Sequence, residues 1–398
     1  MIYLDANATT PMLPEVVDAM LPWMRENFHN PNSSYGPAKE ARRAVDEARA
    51  KVAALIGAEP EEIVFTGGGT ESTNMALKWL SRVVGRKTGR VITSVIEHSA
   101  VLRPVEAFEE VGFAVERVGV DAGGRLDLDA FRAACRAAKE GGGFASVMWV
   151  NNETGVIQPV EEACAIAKEN GLAFHTDAIQ AVGKIPIDVR EVPVDFLSLS
   201  AHKFHGPKGV GALYVRKGCR FEPMIRGGGQ EGGRRGGTEN VAGIVGLGVA
   251  AGMARDRLVH DRDPASGGTT SRLRNRFEEL VMERLEGVTV NGDQIHRLPG
   301  TSHLSFDGCE AAGLLILLEE RGVACSAGSA CMTGKQKPSH VQKAMGFSDA
   351  KAKSSLRFGI SHLVTMEEIG RAADAVVASV ERLRRVQGGN TGPVAIYS

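Results

Sequence analysis

The sequence predicts an α/β protein: a large domain on a mainly parallel, seven-stranded sheet, followed by a smaller α+β domain. Three observations carry that expectation. Through the first two-thirds of the 398 residues, short β-branched apolar runs alternate with amphipathic stretches of helical period. The runs are apolar on both faces, as strands are when helices cover both sides of a parallel sheet. A polar, turn-rich break at 260–271, with Asp-Arg-Asp-Pro-Ala-Ser-Gly-Gly-Thr-Thr-Ser, then separates this alternation from a shorter mixed region.

The seven strands are expected at Glu62–Thr66, Arg90–Val95, Ala114–Val118, Ala145–Asn151, Ala173–Asp177, Phe196–Ser200 and Val210–Val215. Helical periodicity lies between several of them, at Thr73–Val84, Val101–Val111, Leu128–Lys139 and Pro159–Asn170. Beyond the break come a helix (Leu273–Leu285), strands at Val288–Val290 and His303–Phe306, and helices at Ala311–Arg321 and Met366–Val386. The helical pattern Leu13–Asn27 must run back from a strand at Tyr3–Asp5, so the first residues are expected to join the smaller domain. The division is therefore 1–14 with the small domain, 15–259 as the large domain, 260–386 as the small domain and 387–398 as a tail. No internal repeat is present.

Composition narrows the function. Lys+Arg 47 against Asp+Glu 48 gives a net charge of −1, which is not the footprint of a nucleic-acid binder. With 43% hydrophobic residues the chain can offset the entropy of folding. No apolar run approaches the roughly 20 residues of a membrane span, and Met1-Ile2-Tyr3-Leu4-Asp5 does not read as a signal peptide. The six cysteines (135, 164, 219, 309, 325, 331) are too scattered for a disulfide framework, so a reducing cytoplasm is expected. Glycine, at 48 residues, is in excess and clusters at 67–69, 227–229, 232–233 and 236–237.

Three segments could carry chemistry. Phe65-Thr66-Gly67-Gly68-Gly69-Thr70-Glu71-Ser72 reads as strand, glycines, helix. Such a junction offers backbone N–H groups to a phosphate, or is simply a helix start capped by Thr70. It lacks the Lys-Ser/Thr of a Walker loop and the G-x-G-x-x-G of a dinucleotide site. Asp177 ends an apolar strand, where it could cap a helix or hold a protonated pyridine nitrogen. Ser200-Ala201-His202-Lys203 leaves another strand end and enters a Gly-Pro turn. Lys203 is there either a solvated loop lysine or a desolvated amine suited to a Schiff base; Lys208 fits the solvated reading. A phosphate cradle, a strand-end carboxylate and a strand-end lysine together are the contacts of pyridoxal 5′-phosphate.

On these residues the chain resembles the cysteine desulfurases of the NifS/IscS type, in the class V aminotransferase group of fold-type I pyridoxal phosphate enzymes. The matching segments run in order over nearly the full length: Tyr3-Leu4-Asp5 with Ala8-Thr9-Thr10, Asn30-Pro31, Gly68–Ser72, Glu97-His98, Val150–Gly155, Asp177–Gln180, Ser200–Lys203, Gly227–Gly229 with Gly236-Gly237-Thr238, Gly328–Cys331, Pro338-Ser339-His340-Val341 and Leu356-Arg357-Phe358. The resemblance implies that Lys203 binds the cofactor covalently, Asp177 pairs with its pyridine nitrogen, Gln180 bonds its phenolic oxygen and His98 stacks on its ring. It implies Gly69, Thr70, Ser200 and His202 at the phosphate, Thr238 reaching the phosphate of a neighbouring subunit in a homodimer, and Asn152 and Arg357 at the carboxylate of L-cysteine. His98 is also the expected proton relay.

The nucleophile implied by the resemblance is Cys331, in Gly328-Ser329-Ala330-Cys331. The segment 322–338 is small, polar and aperiodic, and Lys335 and Lys337 favour a thiolate. C-x5-C is poor zinc spacing, so no metal is expected; Cys325 reads as a buried structural thiol. The implied reaction turns L-cysteine into alanine and leaves a persulfide on Cys331 for an iron–sulfur scaffold or another acceptor protein, with the loop type closer to the NifS branch. A selenocysteine lyase or other class V aminotransferase would share the cofactor residues without such a loop thiol, and an idle scaffold would not need the whole set. Three stretches depart from the family pattern: Leu4-Asp5-Ala6-Asn7-Ala8 for Leu-Asp-Asn-x-Ala, Tyr35-Gly36 where a histidine is common, and Gly359-Ile360 where a serine is frequent.

Overall fold

The structure, a computed structural model, describes residues 1–85, 89–261, 268–327 and 338–388. The chain begins with β1 (Ile2–Tyr3), α1 (Pro14–Arg25), α2 (Gly36–Ile56), β2 (Ile63–Thr66), α3 (Gly69–Val84), β3 (Arg90–Ser94), α4 (Ser99–Glu110) and β4 (Ala114–Val118). It continues through α5 (Leu128–Ala138), β5 (Gly143–Ser146), α6 (Val160–Glu169), β6 (Ala173–Asp177), β7 (Phe196–Ser200), β8 (Gly211–Val215) and α7 (Val241–Asp261). The remainder is α8 (Thr269–Met282), β9 (Val288–Val290), β10 (Thr301–Phe306), α9 (Ala311–Glu320), β11 (Val323–Ala324) and β12 (Ser326–Ala327), then α10 (His340–Ala344), α11 (Asp349–Lys353), β13 (Ser355–Gly359) and α12 (Met366–Gly388).

Seven strands form one sheet in the order β2-β8-β7-β6-β5-β3-β4. β8 runs antiparallel to β7 and β2, and the other pairings are parallel. Burial alternates residue by residue between the two faces. Val64, Phe144, Phe196 and Leu213 pack into one core, and Ile63, Phe65, Ala145, Leu197 and Leu199 into the other. The strand β4 differs from the both-faces-apolar expectation: it lies at the edge of the sheet, and Ala114 and Glu116 are exposed. β5 starts two residues earlier than expected. Past its end, the N–H groups of Val147 and Trp149 still donate to His175 O (3.2 Å) and Asp177 O (2.9 Å), holding the strand ends together.

A second sheet, β12-β13-β10-β9, is antiparallel and packs on α8, α9 and α12 through Phe277, Phe306, Phe358 and Ile369. β1 pairs in parallel with β11, and Asp5 bridges Gly359. Residues 5–10 are thereby led from this second sheet across the carboxyl edge of the first. Thr10 N donates to His202 O at 2.9 Å there.

Candidate active site

The carboxyl ends of β2, β6 and β7 meet at one cleft. β2 delivers the glycine turn to α3. Gly68 sits at φ 144°, which favours glycine, and a Cβ on Gly69 would stand 2.2 Å from Ile179 Cδ1, so a larger residue there would have to displace the Ile179 side chain that follows β6. The first-turn N–H groups of α3 are those a helix leaves unpaired. With Thr9, Thr70, Ser200, His202 and Lys208 they line an open cleft. Lys208 is exposed, as expected, and stands at the rim of the cradle. Glu71 also lines it, but its carboxylate is engaged by Arg235 (2.9 Å) and by Gly67 N (2.8 Å). His202 Nδ1 lies 3.1 Å from Thr9 Oγ1, and burial with nearby lysines lowers its pKa to about 4, so the ring is neutral.

Asp177 is buried at the end of β6, and Ile179 N donates to its Oδ1 at 3.0 Å. Burial pushes this carboxyl above its ordinary range, while His98 and Lys203 pull it back. His98 caps α4. Ala100 N donates to its Nδ1 at 3.1 Å, and burial lowers its pKa. The neutral ring therefore carries its proton on Nε2. Lys203 follows β7 in a single 3₁₀ turn, Ala201–Lys203. Its Nζ donates to Asn7 O and Ala8 O, both at 2.8 Å. Burial, reinforced by Arg357, lowers its pKa to about 8. That is the desolvated alternative for this lysine.

Arg357 arrives from β13. It donates to Asp5 Oδ1 (2.7 Å) and to Asn152 O (2.9 Å), and its buried Nε has no partner among the described residues. Asn152 thus touches the guanidinium through its backbone carbonyl. Thr238 is exposed on its own chain and lines a neighbouring cavity that shares Gly67 and Gly209 with the cradle.

Cys331 lies outside the described residues. Cys325 stands between β11 and β12, and burial with Asp5 nearby pushes its thiol up to about 12, in line with a structural role. Burial also raises the thiols of Cys135, Cys164, Cys219 and Cys309.

Sequence reasoning missed three groups here. Asp5 orients Arg357 and accepts from Ser326 Oγ at 2.8 Å. Asn7 O receives both Lys203 and Gln180. Glu153 accepts from Ser339 Oγ at 2.5 Å, tying α10 to the turn that carries Asn152. Asp5, Glu153 and Ser339 lie inside the family-like segments; nothing in the sequence marks the carbonyl of Asn7. Among the described residues no group of three His, Cys, Asp or Glu side chains could hold a metal ion, and no helix is long and apolar enough to cross a membrane.

The aminotransferase class-V family matches residues 2–371. A cysteine desulfurase of Gluconacetobacter diazotrophicus is 46% identical, covering 97% of this chain and 94% of its own. The cysteine desulfurase NifS of Azotobacter vinelandii is 44% identical, covering 99% and 96%. Among solved structures, a NifS-like protein aligns with a TM-score of 0.86 at 34% identity, over 98% of this chain and 100% of that one.

Proposed function

The chain belongs to the aminotransferase class-V family and is a pyridoxal-phosphate-dependent cysteine desulfurase, and from that premise we propose which of its residues carry the reaction and where the sulfur goes. Three features support a fit to the cofactor: the glycine cradle at the start of α3, the buried Asp177 carboxyl, and the Lys203 amine with its lowered pKa. Gly69, Thr70, Ser200 and His202 would hold the phosphate, Asp177 the pyridine nitrogen, Gln180 the phenolic oxygen, His98 the ring face and Lys203 the aldehyde carbon. When bound, the cofactor supplies an electron sink for bonds at the substrate α-carbon.

The protein's own groups do the rest. Arg357 clamps the carboxylate of L-cysteine with the side chain of Asn152 beside it. Lys203, whose pKa of about 8 leaves a share of free base near neutrality, moves the α-proton. His98 Nε2–H relays a proton at the sulfur side. The Cys331 thiolate attacks the substrate sulfur. An S–S bond forms as the substrate C–S bond breaks, so one thiol and one cysteine become a Cys331 persulfide and alanine. The single observation that carries this reading is the convergence of Asp177, Lys203 and His98, each acting electrostatically on another at one sheet edge, with Arg357 brought in from β13.

The active unit is a homodimer in which the exposed Thr238 of one copy reaches the cofactor phosphate of the other. A division into 1–14 with 260–386, against 15–259, is supported by Ile2 and Leu4 packing in one core with Leu273, Phe306, Phe358 and Val380, and α12 runs to Gly388. The persulfide passes in the cytoplasm to an iron–sulfur scaffold or other acceptor protein. Purified protein given L-cysteine should release alanine, and Cys331→Ala should retain the absorbance of lysine-bound cofactor while making no sulfide. Sulfide at the native rate from that variant would overturn the assignment.

A further inference from the structure

Gln180 and Lys203 meet at one carbonyl oxygen. Gln180 Nε2 donates to Asn7 O at 2.8 Å, and Lys203 Nζ donates to the same atom at 2.8 Å. On its other side, Gln180 Oε1 accepts from Lys184 Nζ at 2.6 Å. The orientation of a carboxamide follows from its partners. A carbonyl only accepts, so the amide nitrogen must face Asn7, and the amide oxygen is left to Lys184. Burial, with the cations Lys203, Arg357 and Arg257, pushes the Lys184 amine well below the ordinary lysine range. Charged or neutral, it keeps an N–H to give to Oε1.

We propose that Lys184 is a positioning residue for the reaction: it holds Gln180 Oε1, and so keeps the second Nε2–H of Gln180 available to the phenolic oxygen of the cofactor. The inference rests on the reading of Gln180 given above. A donor on that oxygen stabilises its anionic form and lowers the proton affinity of the nitrogen that links Lys203 to the cofactor. Without Lys184 the orientation rests on the Asn7 carbonyl alone, which Gln180 shares with Lys203, so a carboxamide turned with its own oxygen toward the cofactor gains population and the donor there is weakened. Lys184 acts on the neutral His202 and His205, and Lys203 feels Arg357, Asp177 and Asp5 and acts on His98.

The test is a pH titration of the absorbance of the cofactor-loaded protein, with the cofactor dissociation constant measured on the same variants. Lys184→Met should raise the absorbance midpoint by about 0.5–1 pH unit and weaken cofactor binding about fivefold, the equivalent of one lost hydrogen bond. Lys184→Gln, which keeps a donor without the charge, should titrate like the native protein. In a Gln180→Ala background neither substitution should move the midpoint further. A native midpoint in Lys184→Met overturns the proposal. So does an equal shift in both backgrounds, from Lys184→Met or, where that variant fails to fold, from Lys184→Gln. If Gln180→Ala alone leaves the spectrum unchanged, the reading of Gln180 falls and this inference falls with it. If Gln180→Ala shifts the spectrum and Lys184→Met does not, only this inference falls.

Discussion

Replacing Gly211 by alanine tests how the phosphate cradle is built. Gly211 begins β8 between two neighbours, opposite Ser200 of β7 and Thr66 of β2. A Cβ there would stand 2.6 Å from Leu199 O and 2.8 Å from Gly68 Cα, where ordinary contact begins at 3.4 Å. Both obstacles are backbone, so the methyl cannot be accommodated by a rotamer change. The Gly68 turn and β7 must retreat by about 0.6–0.8 Å. Overpacking of this kind costs about 1–3 kcal/mol. Displacing the α3 N–H groups from a phosphate weakens charge-assisted hydrogen bonds worth about 1.5–3 kcal/mol, so cofactor affinity should fall at least about tenfold. Gly370→Ala is the control. It lies inside α12 with nothing within 4 Å of its Cβ, so the same change should stabilise by about 0.5–1 kcal/mol. The assays are urea unfolding of the apo-protein and titration with pyridoxal phosphate followed by absorbance. Native stability and affinity in Gly211→Ala would refute the argument that the cradle closes on this glycine.

Arg357→Lys keeps a charge but loses the planar fork that spans Asp5 and Asn152 O, and kcat/KM for L-cysteine should fall about 10- to 100-fold with little loss of bound cofactor; steady-state alanine release measures it. Burial raises Glu153 to about 7. Its folded form binds a proton more tightly than the unfolded chain, so the native protein loses on the order of 3 kcal/mol as pH rises from about 4.5 to about 7. Glu153→Gln keeps an acceptor for Ser339 and removes that loss. Urea midpoints should match the native protein at pH 4 and exceed it at pH 8.5; equal midpoints at both pH values would contradict the burial argument.

The βα alternation and the strands ending at Asp177 and Ser200 were legible because buried strands write continuous apolar runs; β6 and β7 fall on their expected bounds. The long helix α7 was not. It packs on α2 and α1 with glycines at the closest approaches, and glycine carries no amphipathic period. A Cβ on Gly248 would stand 2.6 Å from Ala48 Cα, and one on Gly246 would stand 2.6 Å from Met20 Sδ. Close helix packing erased the signal that periodicity needs. In the site, Asp177 and Lys203 were legible at strand ends, His98 and Arg357 entered only through the family resemblance, and backbone acceptors were not legible. Asn7 O and Asn152 O are chosen by the path of the chain across the sheet edge, which no residue type announces.

The central claim is that one thiol, Cys331, carries the sulfur, while the thiols of Cys325 and the four other cysteines are raised by burial and stay inert. Peptide mass mapping after a brief incubation of the cofactor-loaded protein with L-cysteine addresses it directly. One added sulfur is expected on the peptide containing Cys331, in step with one alanine released. Alanine released with the added sulfur on Cys325, or with no protein-bound sulfur, would contradict it.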